Sequence, residues 1–273
     1  MQVVTLGTGS PLPDPARAGP ATLVRTSVGD LLFDCGRGVL LRTAGAGSSA
    51  GGLRALFLTH LHSDHICDLN DVITTRWITS FAPNPLALIG PEGTAELLGA
   101  TEALLEPDIR YRLAHHADLS WRPPTDVTEA DRGVVLEQEA VRVTAAPTDH
   151  APVRPTLGYR IDDGDRSVVI AGDTVPCEGL DGLATGADVL VHTVVRRDLL
   201  EAIGLPRLLD VLDYHSSVED AAATAARAGV RTLVLTHLVP SPAPGTDHEW
   251  LELANAHFGG EVVLASDLTT IDA

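Results

Sequence analysis

The sequence predicts an α/β fold in which two sheets pack face to face with helices outside them. Two observations predict it. Short Val-, Leu- and Ile-rich runs bounded by Gly, Asp or Pro alternate with segments of helical character, and those runs arrive in two groups, each followed by helices. The composition is globular, 44% hydrophobic and 21% charged over 273 residues. That length is ample for a hydrophobic core.

In the first group the expected strands are Val3–Leu6, Thr22–Thr26, Leu31–Asp34, Ala55–Thr59 and Leu86–Ile89. In the second they are Val134–Glu137, Val141–Ala145, Leu157–Ile161, Ser167–Ala171, Val189–His192, Thr232–Thr236 and Val262–Leu264. Helices are expected over Ile66–Ser80, Gly93–Leu105, Ser217–Ala228 and Asp247–Phe258. The helix at 217 carries the clearest signals: Ser216 and Glu219 have the spacing of a capping box, and Gly229 suits the left-handed stop. The Ala/Gly/Ser run at 44–52 reads as a flexible loop, and the polar, Pro-bearing stretch 118–133 as a surface excursion. No tandem repeat or low-complexity linker divides the chain, so residues 1–273 read as one domain.

Charge and cysteine usage narrow the function classes. The net charge is −18, with 19 Arg and no Lys. Phosphate contacts need Lys and Arg, so a broad nucleic-acid surface is not expected. No apolar run approaches the ~18 residues of a membrane span, so no membrane partner is expected. The opening MQVVTLGTGS reads as a strand entering a glycine turn rather than a secretory signal, which makes a cytoplasmic protein the expectation. Cys35, Cys67 and Cys177 include no CxxC pair and form no disulfide framework.

The strongest chemical signal is His60-Leu61-His62-Ser63-Asp64-His65, which follows a buried-looking strand and precedes a helix. Neutral imidazoles beside a carboxylate suit a divalent metal such as zinc. His150, Asp173 and His237 each stand where a later apolar run stops. A lone polar residue at a strand end is usually a cap, but a local cluster accompanied by several such ends points to a site. Seven candidate ligands exceed one tetrahedral zinc and suit two metals that share a carboxylate and keep open positions for water.

HLHSDH, with the later His, AGDT and LTHL, resembles the metallo-β-lactamase superfamily. Leu6-Gly-Thr-Gly-Ser10, Phe33-Asp-Cys-Gly36, Gly90-Pro-Glu-Gly93, Gly172-Asp-Thr174 and His215-Ser-Ser217 are similar to its ribonuclease Z and arylsulfatase-like branch. The likeness runs over nearly the whole chain and implies a four-layer αββα sandwich. It implies that His60, His62 and His150 hold one Zn2+ and Asp64, His65 and His237 the other, with Asp173 bridging; Mn2+ and Fe2+ are alternatives. Asp34 would support the ligand loop by hydrogen bonds, or else be a strand-end turn residue. The implied reaction is cleavage of a phosphodiester by metal-activated water, with Asp64 taking up the nucleophile's proton and His215 protonating the leaving group.

Two departures bear on the substrate. The branch carries a long basic arm between the residues matching His150 and Asp173. Here only a hairpin fits, around Asp162-Asp-Gly-Asp165. Where the branch has a Glu that orients the histidine matching His215, this chain has Thr193. The expected substrate is thus a small phosphodiester or an RNA 3′ end held without a broad basic surface, with Arg17, Arg37 or Arg76 as candidate phosphate contacts. An aryl sulfate, cyclic phosphodiester or lactone is the alternative. A redox di-iron protein or non-catalytic metal scaffold is disfavoured by His62, since di-iron relatives carry Glu at that place. Relatives commonly dimerise, so a homodimer is the expected assembly. Of the other histidines, His192 reads as a site neighbour or a buried structural residue, and His115, His116, His248 and His257 carry no partner signal.

Overall fold

The computed structural model describes residues 1–273. The first sheet takes β1 (Gln2–Gly7), β2 (Ala21–Thr26), β3 (Gly29–Phe33), β4 (Leu53–Phe57), β5 (Leu86–Gly90), β6 (Thr125–Glu129) and the last strand, β14 (Thr269–Asp272), in the order β14-β1-β2-β3-β4-β5-β6. The second takes β7 (Gly133–Gln138), β8 (Val141–Pro147), β9 (Leu157–Asp163), β10 (Arg166–Ile170), β11 (Val189–Val195), β12 (Thr232–Val239) and β13 (Glu261–Leu264), in the order β13-β12-β11-β10-β9-β8-β7. Each sheet is part antiparallel and part parallel. Pairing is parallel from β3 to β6 and from β10 to β13.

Strand alternation makes the layers. Leu31, Phe33, Ala55 and Phe57 point between the sheets and meet Val143, Tyr159, Ile161, Val168, Val191 and Val234 from the other side. Their neighbours Leu32, Leu56 and Leu58 point outward, onto α1 (Val39–Gly45), α3 (Leu69–Ile78) and α4 (Thr94–His115). On the second sheet Val169, Leu190, Leu233 and Leu235 face α5 (Glu178–Ala184), α8 (Val218–Ala228) and α9 (Asp247–Asn255). Burial on both faces explains why these strands read as continuous apolar runs. The result is the αββα sandwich the sequence implied.

Several local expectations are corrected. The capping box uses Ser217 and Asp220, one residue along from the expected pair, while Ser216 Oγ donates to the Thr174 carbonyl. The Ser-Ser and Glu-Asp doublets satisfy the spacing in either register, and the tertiary contact of Ser216 decides. The stretch 118–133 contains β6, an edge strand whose side chains are mostly exposed and polar, so it carried no apolar run. The expected helix at 66–80 is split into α2 (Ser63–Ile66) and α3, and the 44–52 run is partly helical, ending α1 and forming a 3-10 turn. Two short helices, α6 (Arg197–Ile203) and α7 (Pro206–Leu209), form a flap between β11 and α8 with its own small core of Val195, Leu200 and Val239. No helix is long and apolar enough to cross a membrane.

Candidate metal centre

The site forms at one end of the sandwich, where β3, β4, β10 and β12 deliver their polar ends. Asp34 follows β3 with φ 58°, a left-handed conformation that Asp tolerates better than most residues. Its carboxylate accepts from Thr59 N at 2.8 Å, from Thr59 Oγ1 at 2.9 Å and from His65 Nδ1 at 2.8 Å. One buried carboxylate thus pins the loop after β4 and the short helix α2 together. Gly172, at φ 65°, turns the chain after β10 to aim Asp173. A Cβ there would come within 2.9 Å of Thr59 Cβ, so only glycine fits.

These supports bring the seven candidate ligands together in two groups. His60, His62, His150 and Asp173 form one, and Asp64, His65 and His237 the other, with ligand atoms within 4.8 Å of one another inside each group. Asp173 Oδ2, of the first group, also approaches the second. It lies 3.7 and 3.9 Å from Nε2 of His60 and His150, and 3.3 and 3.5 Å from Nε2 of His65 and His237. His62 Nδ1 lies 2.9 Å from His60 Nε2 and 3.3 Å from His150 Nε2. Ligands about 2.0–2.1 Å from a tetrahedral zinc stand roughly 3.3 Å apart, so the spacing is that of a coordination shell.

Proton accounting shows that the donor set fits cations. His150 Nδ1 faces the Tyr214 carbonyl at 2.7 Å, which can only accept, so Nδ1 carries the proton and Nε2 a lone pair. His65 Nδ1 donates to Asp34 in the same way. Thr59 Oγ1 gives its hydrogen to Asp34 and accepts from His60 Nδ1 at 3.0 Å, which leaves His60 Nε2 a lone pair too. Lone pairs and carboxylates therefore converge on one point, and His65 Nε2 and Asp173 Oδ1 are buried without a protein partner. Only positive charge between them makes this arrangement stable.

The titration shifts differ between the two groups. Burial pushes His60 well below, and His62 below, the usual imidazole value, and takes His150 to about 4, so all three are neutral donors near pH 7. Burial also depresses His65 and His237, but Asp173 chiefly, with Asp34 or Asp64, outweighs it and raises both. Burial disfavours the charged forms of Asp64 and Asp173, yet the neighbouring histidines hold both carboxylates below their ordinary range.

His215 joins the site from the loop before α8. Its Nδ1 faces the Val211 carbonyl at 3.1 Å and its Nε2 lies 3.3 Å from Asp173 Oδ2. A cavity of about 320 Å3 opens over the cluster, lined by Asp64, Asp173, His215 and His237, and by an apolar wall of Pro11, Leu12, Leu208, Val211 and Val239 with Tyr214 beside it. No arginine lines it, which corrects the expectation for Arg17, Arg37 and Arg76. Arg76 is buried and holds the carbonyls of Ala50, Leu53 and Pro85, and Arg17 donates to Thr8 and the Ala265 carbonyl. His192 is buried against the Thr193 carbonyl, outside both donor groups. His115, His116, His248 and His257 also lie outside them, as do the three free cysteines. The anchoring carbonyls of Tyr214 and Val211 and the apolar wall were not anticipated. Backbone acceptors leave no mark in a sequence.

Fold and site define a hydrolase of the metallo-β-lactamase superfamily: residues 30–238 match the family described as the beta-lactamase superfamily domain. A full-length likeness narrows this. The chain is 57% identical over 270 residues to ribonuclease Z of Mycolicibacterium paratuberculosis, covering 98% of this chain and 96% of the relative. It is 54% identical over 274 residues to ribonuclease Z of Mycobacterium bovis, covering 100% and 98%. The chain belongs to the ribonuclease Z family. Among solved structures it superposes on the human short-form tRNase Z at a TM-score of 0.72, with 25% identity over 100% of this chain and 99% of that one. The metallo-beta-lactamase fold protein YhfI of Bacillus subtilis, 23% identical over 100% and 98% of the two chains, shares the fold at a TM-score of 0.77. The curated relatives are chains of about this size, so the short β9–β10 hairpin between His150 and Asp173 is no bar to the family.

Proposed function

We propose that this chain is a dinuclear metal-dependent phosphodiesterase acting on RNA 3′ ends, tRNA precursors among them. His60, His62 and His150 would hold one cation, Asp64, His65 and His237 the other, and Asp173 would be shared. The mixed imidazole and carboxylate donors suit Zn2+, with Mn2+ or Fe2+ as alternatives. When bound, such a pair supplies an acidified water and positive charge for the phosphoryl oxygens. The observation that carries the reading is the position of Asp173 Oδ2, between 3.3 and 3.9 Å from ligand nitrogens of both groups.

The chain's own residues complete the chemistry. Asp64 lines the cavity as an ionised carboxylate and accepts the nucleophile's proton. His215, held at Nδ1 by the Val211 carbonyl, presents Nε2 to the cavity and, entering the step as an imidazolium, protonates the leaving oxygen from Nε2. The apolar wall excludes water from the reacting phosphodiester. A homodimer in the cytoplasm, each chain one domain over 1–273, would lend surface for the rest of an RNA, which a −18 chain lacks.

The apolar wall and the absence of arginine from the cavity favour one second reading, hydrolysis of a small aryl ester or diester. The test compares kcat/KM for precursor tRNA, bis-p-nitrophenyl phosphate, p-nitrophenyl sulfate and a lactone, at low and moderate salt. Cleavage of both phosphodiesters, with the tRNA reaction falling as salt rises, supports the proposal. Turnover of the sulfate or lactone alone refutes it.

A further inference from the structure

Four of the five histidines that face Asp173 have their other ring nitrogen held by a protein group. These are His60 by Thr59, His65 by Asp34, His150 by the Tyr214 carbonyl and His215 by the Val211 carbonyl. His237 is the exception. Its Nδ1 is buried with no protein partner, and so is Oγ1 of the adjacent Thr236. Both residues line a small cavity of about 20 Å3, together with Thr193, Asp34 and His65. Phe33, Ile170 and Val191 of the inter-sheet core close it from below.

We propose that this cavity is a built site for one structural water, through which Thr236 and Thr193 position His237. A buried water needs roughly 10–15 Å3 of such space and two to four polar partners, and both conditions hold here. Thr193 Oγ1 donates to the Gly172 carbonyl at 3.0 Å, so toward the cavity it can only accept. A water that donates to Thr193 Oγ1 and Thr236 Oγ1 turns its oxygen to His237 Nδ1–H. That bond fixes the proton on Nδ1 and leaves the Nε2 lone pair, 3.3 Å from Asp64 Oδ2 and 3.5 Å from Asp173 Oδ2, free for a cation. Each of the other four imidazoles has its orienting group supplied directly by the chain. Here the group is a water held by two threonines of neighbouring strands, which pair at Thr193 and Thr236.

The metal arm of this inference rests on the proposed function; the water site itself does not. The test pairs an atomic-resolution crystal structure with chelator competition for Zn2+, on the parent, Thr236→Val and Thr236→Ser. The expected result is an ordered water on His237 Nδ1 in the parent and in Thr236→Ser. Thr236→Val should lose it and bind the cation of the Asp64, His65 and His237 group about 10–100-fold more weakly, as loss of an orienting partner does. The cation on His60, His62 and His150 should change less, and serine should restore affinity. Thr193→Val removes the second acceptor and carries the test should Thr236→Val not fold. A dry cavity in the parent overturns the proposal, as does a Thr236→Val protein that has lost the water yet binds both cations within about twofold of the parent. A parent that binds no metal refutes the proposed function, while the ordered water would still support the site.

Discussion

Replacing Asp34 by Asn should weaken both of the proposed cation sites through one atom. Asp34 Oδ2 accepts from Thr59 Oγ1 at 2.9 Å and from His65 Nδ1 at 2.8 Å, while Oδ1 accepts from Thr59 N at 2.8 Å. In Asp34→Asn the remaining oxygen stays on the Thr59 amide, and an NH2 group takes the place of Oδ2. Two donors then meet His65 Nδ1 and Thr59 Oγ1. To avoid the clash of hydrogens, His65 must carry its proton on Nε2, the atom that faces Asp173 at 3.3 Å. The Thr59 hydroxyl must turn its hydrogen onto His60 Nδ1, which moves that imidazole's proton to Nε2, the atom that faces Asp173 at 3.7 Å, as well. Each hydrogen bond to a charged group is worth about 1.5–3 kcal/mol, which corresponds to roughly 10–100-fold in affinity, the usual effect of removing a group that orients a metal ligand. Chelator competition monitored by a zinc indicator should show both cations weakened by that factor in a folded protein. If the folded variant holds both cations within about threefold of the parent, the tautomer relay is refuted. If only the site of His65 weakens, Thr59 does not carry the effect to His60.

Three further outcomes are expected. Metal analysis of the purified protein should give about two divalent cations per chain, and His62→Ala should remove most activity and part of the metal; one cation with a closed protein shell would contradict the dinuclear reading. His215→Ala should keep both cations and lose roughly 10²–10⁴-fold in turnover on RNA, with a smaller loss on nitrophenyl esters, whose leaving groups need little protonation; equal losses on both would show a structural role. Burial lowers His192 from 6.5 to about 4 in the folded protein, so the unfolded chain takes up this proton first, and stability present above about pH 6.5 is lost as pH falls toward 4. The His192 share of that loss is about 3 kcal/mol, and denaturant titrations across this range should show a loss smaller by about that amount in His192→Gln than in the parent.

Local spacing along the chain encodes part of this site and fold. HLHSDH packs four metal-competent side chains onto one loop and the turn of helix after it, so their nearness follows from chain connectivity alone. Apolar runs such as Ala55-Leu-Phe-Leu58 marked strands buried on both faces, and Ser216, Glu219 and Gly229 marked a capped helix. The helix register was left to Ser216, whose hydroxyl is taken up by Thr174. The exposed edge strand β6 and the closing strand β14 carried too little hydrophobic pattern to stand out, because pairing with a neighbour and not burial holds them in place.

How the distant residues meet is set by the packing of the two sheets. Asp34, His150, Asp173, His215 and His237 are far apart in the chain, and they converge because the two sheets deliver their strand ends to the same edge. The proton positions depend on backbone carbonyls at Tyr214 and Val211, which any residue at those positions could offer. The arginines show the same limit from the other side. Arg76 reads in the sequence as a free cation, yet the fold buries its guanidinium against carbonyls and leaves the cavity wall apolar. A residue type states what a side chain can do; its neighbours in space fix which of those things it does, because a hydrogen bond or a metal bond acts over a few ångströms and those ångströms are set by packing.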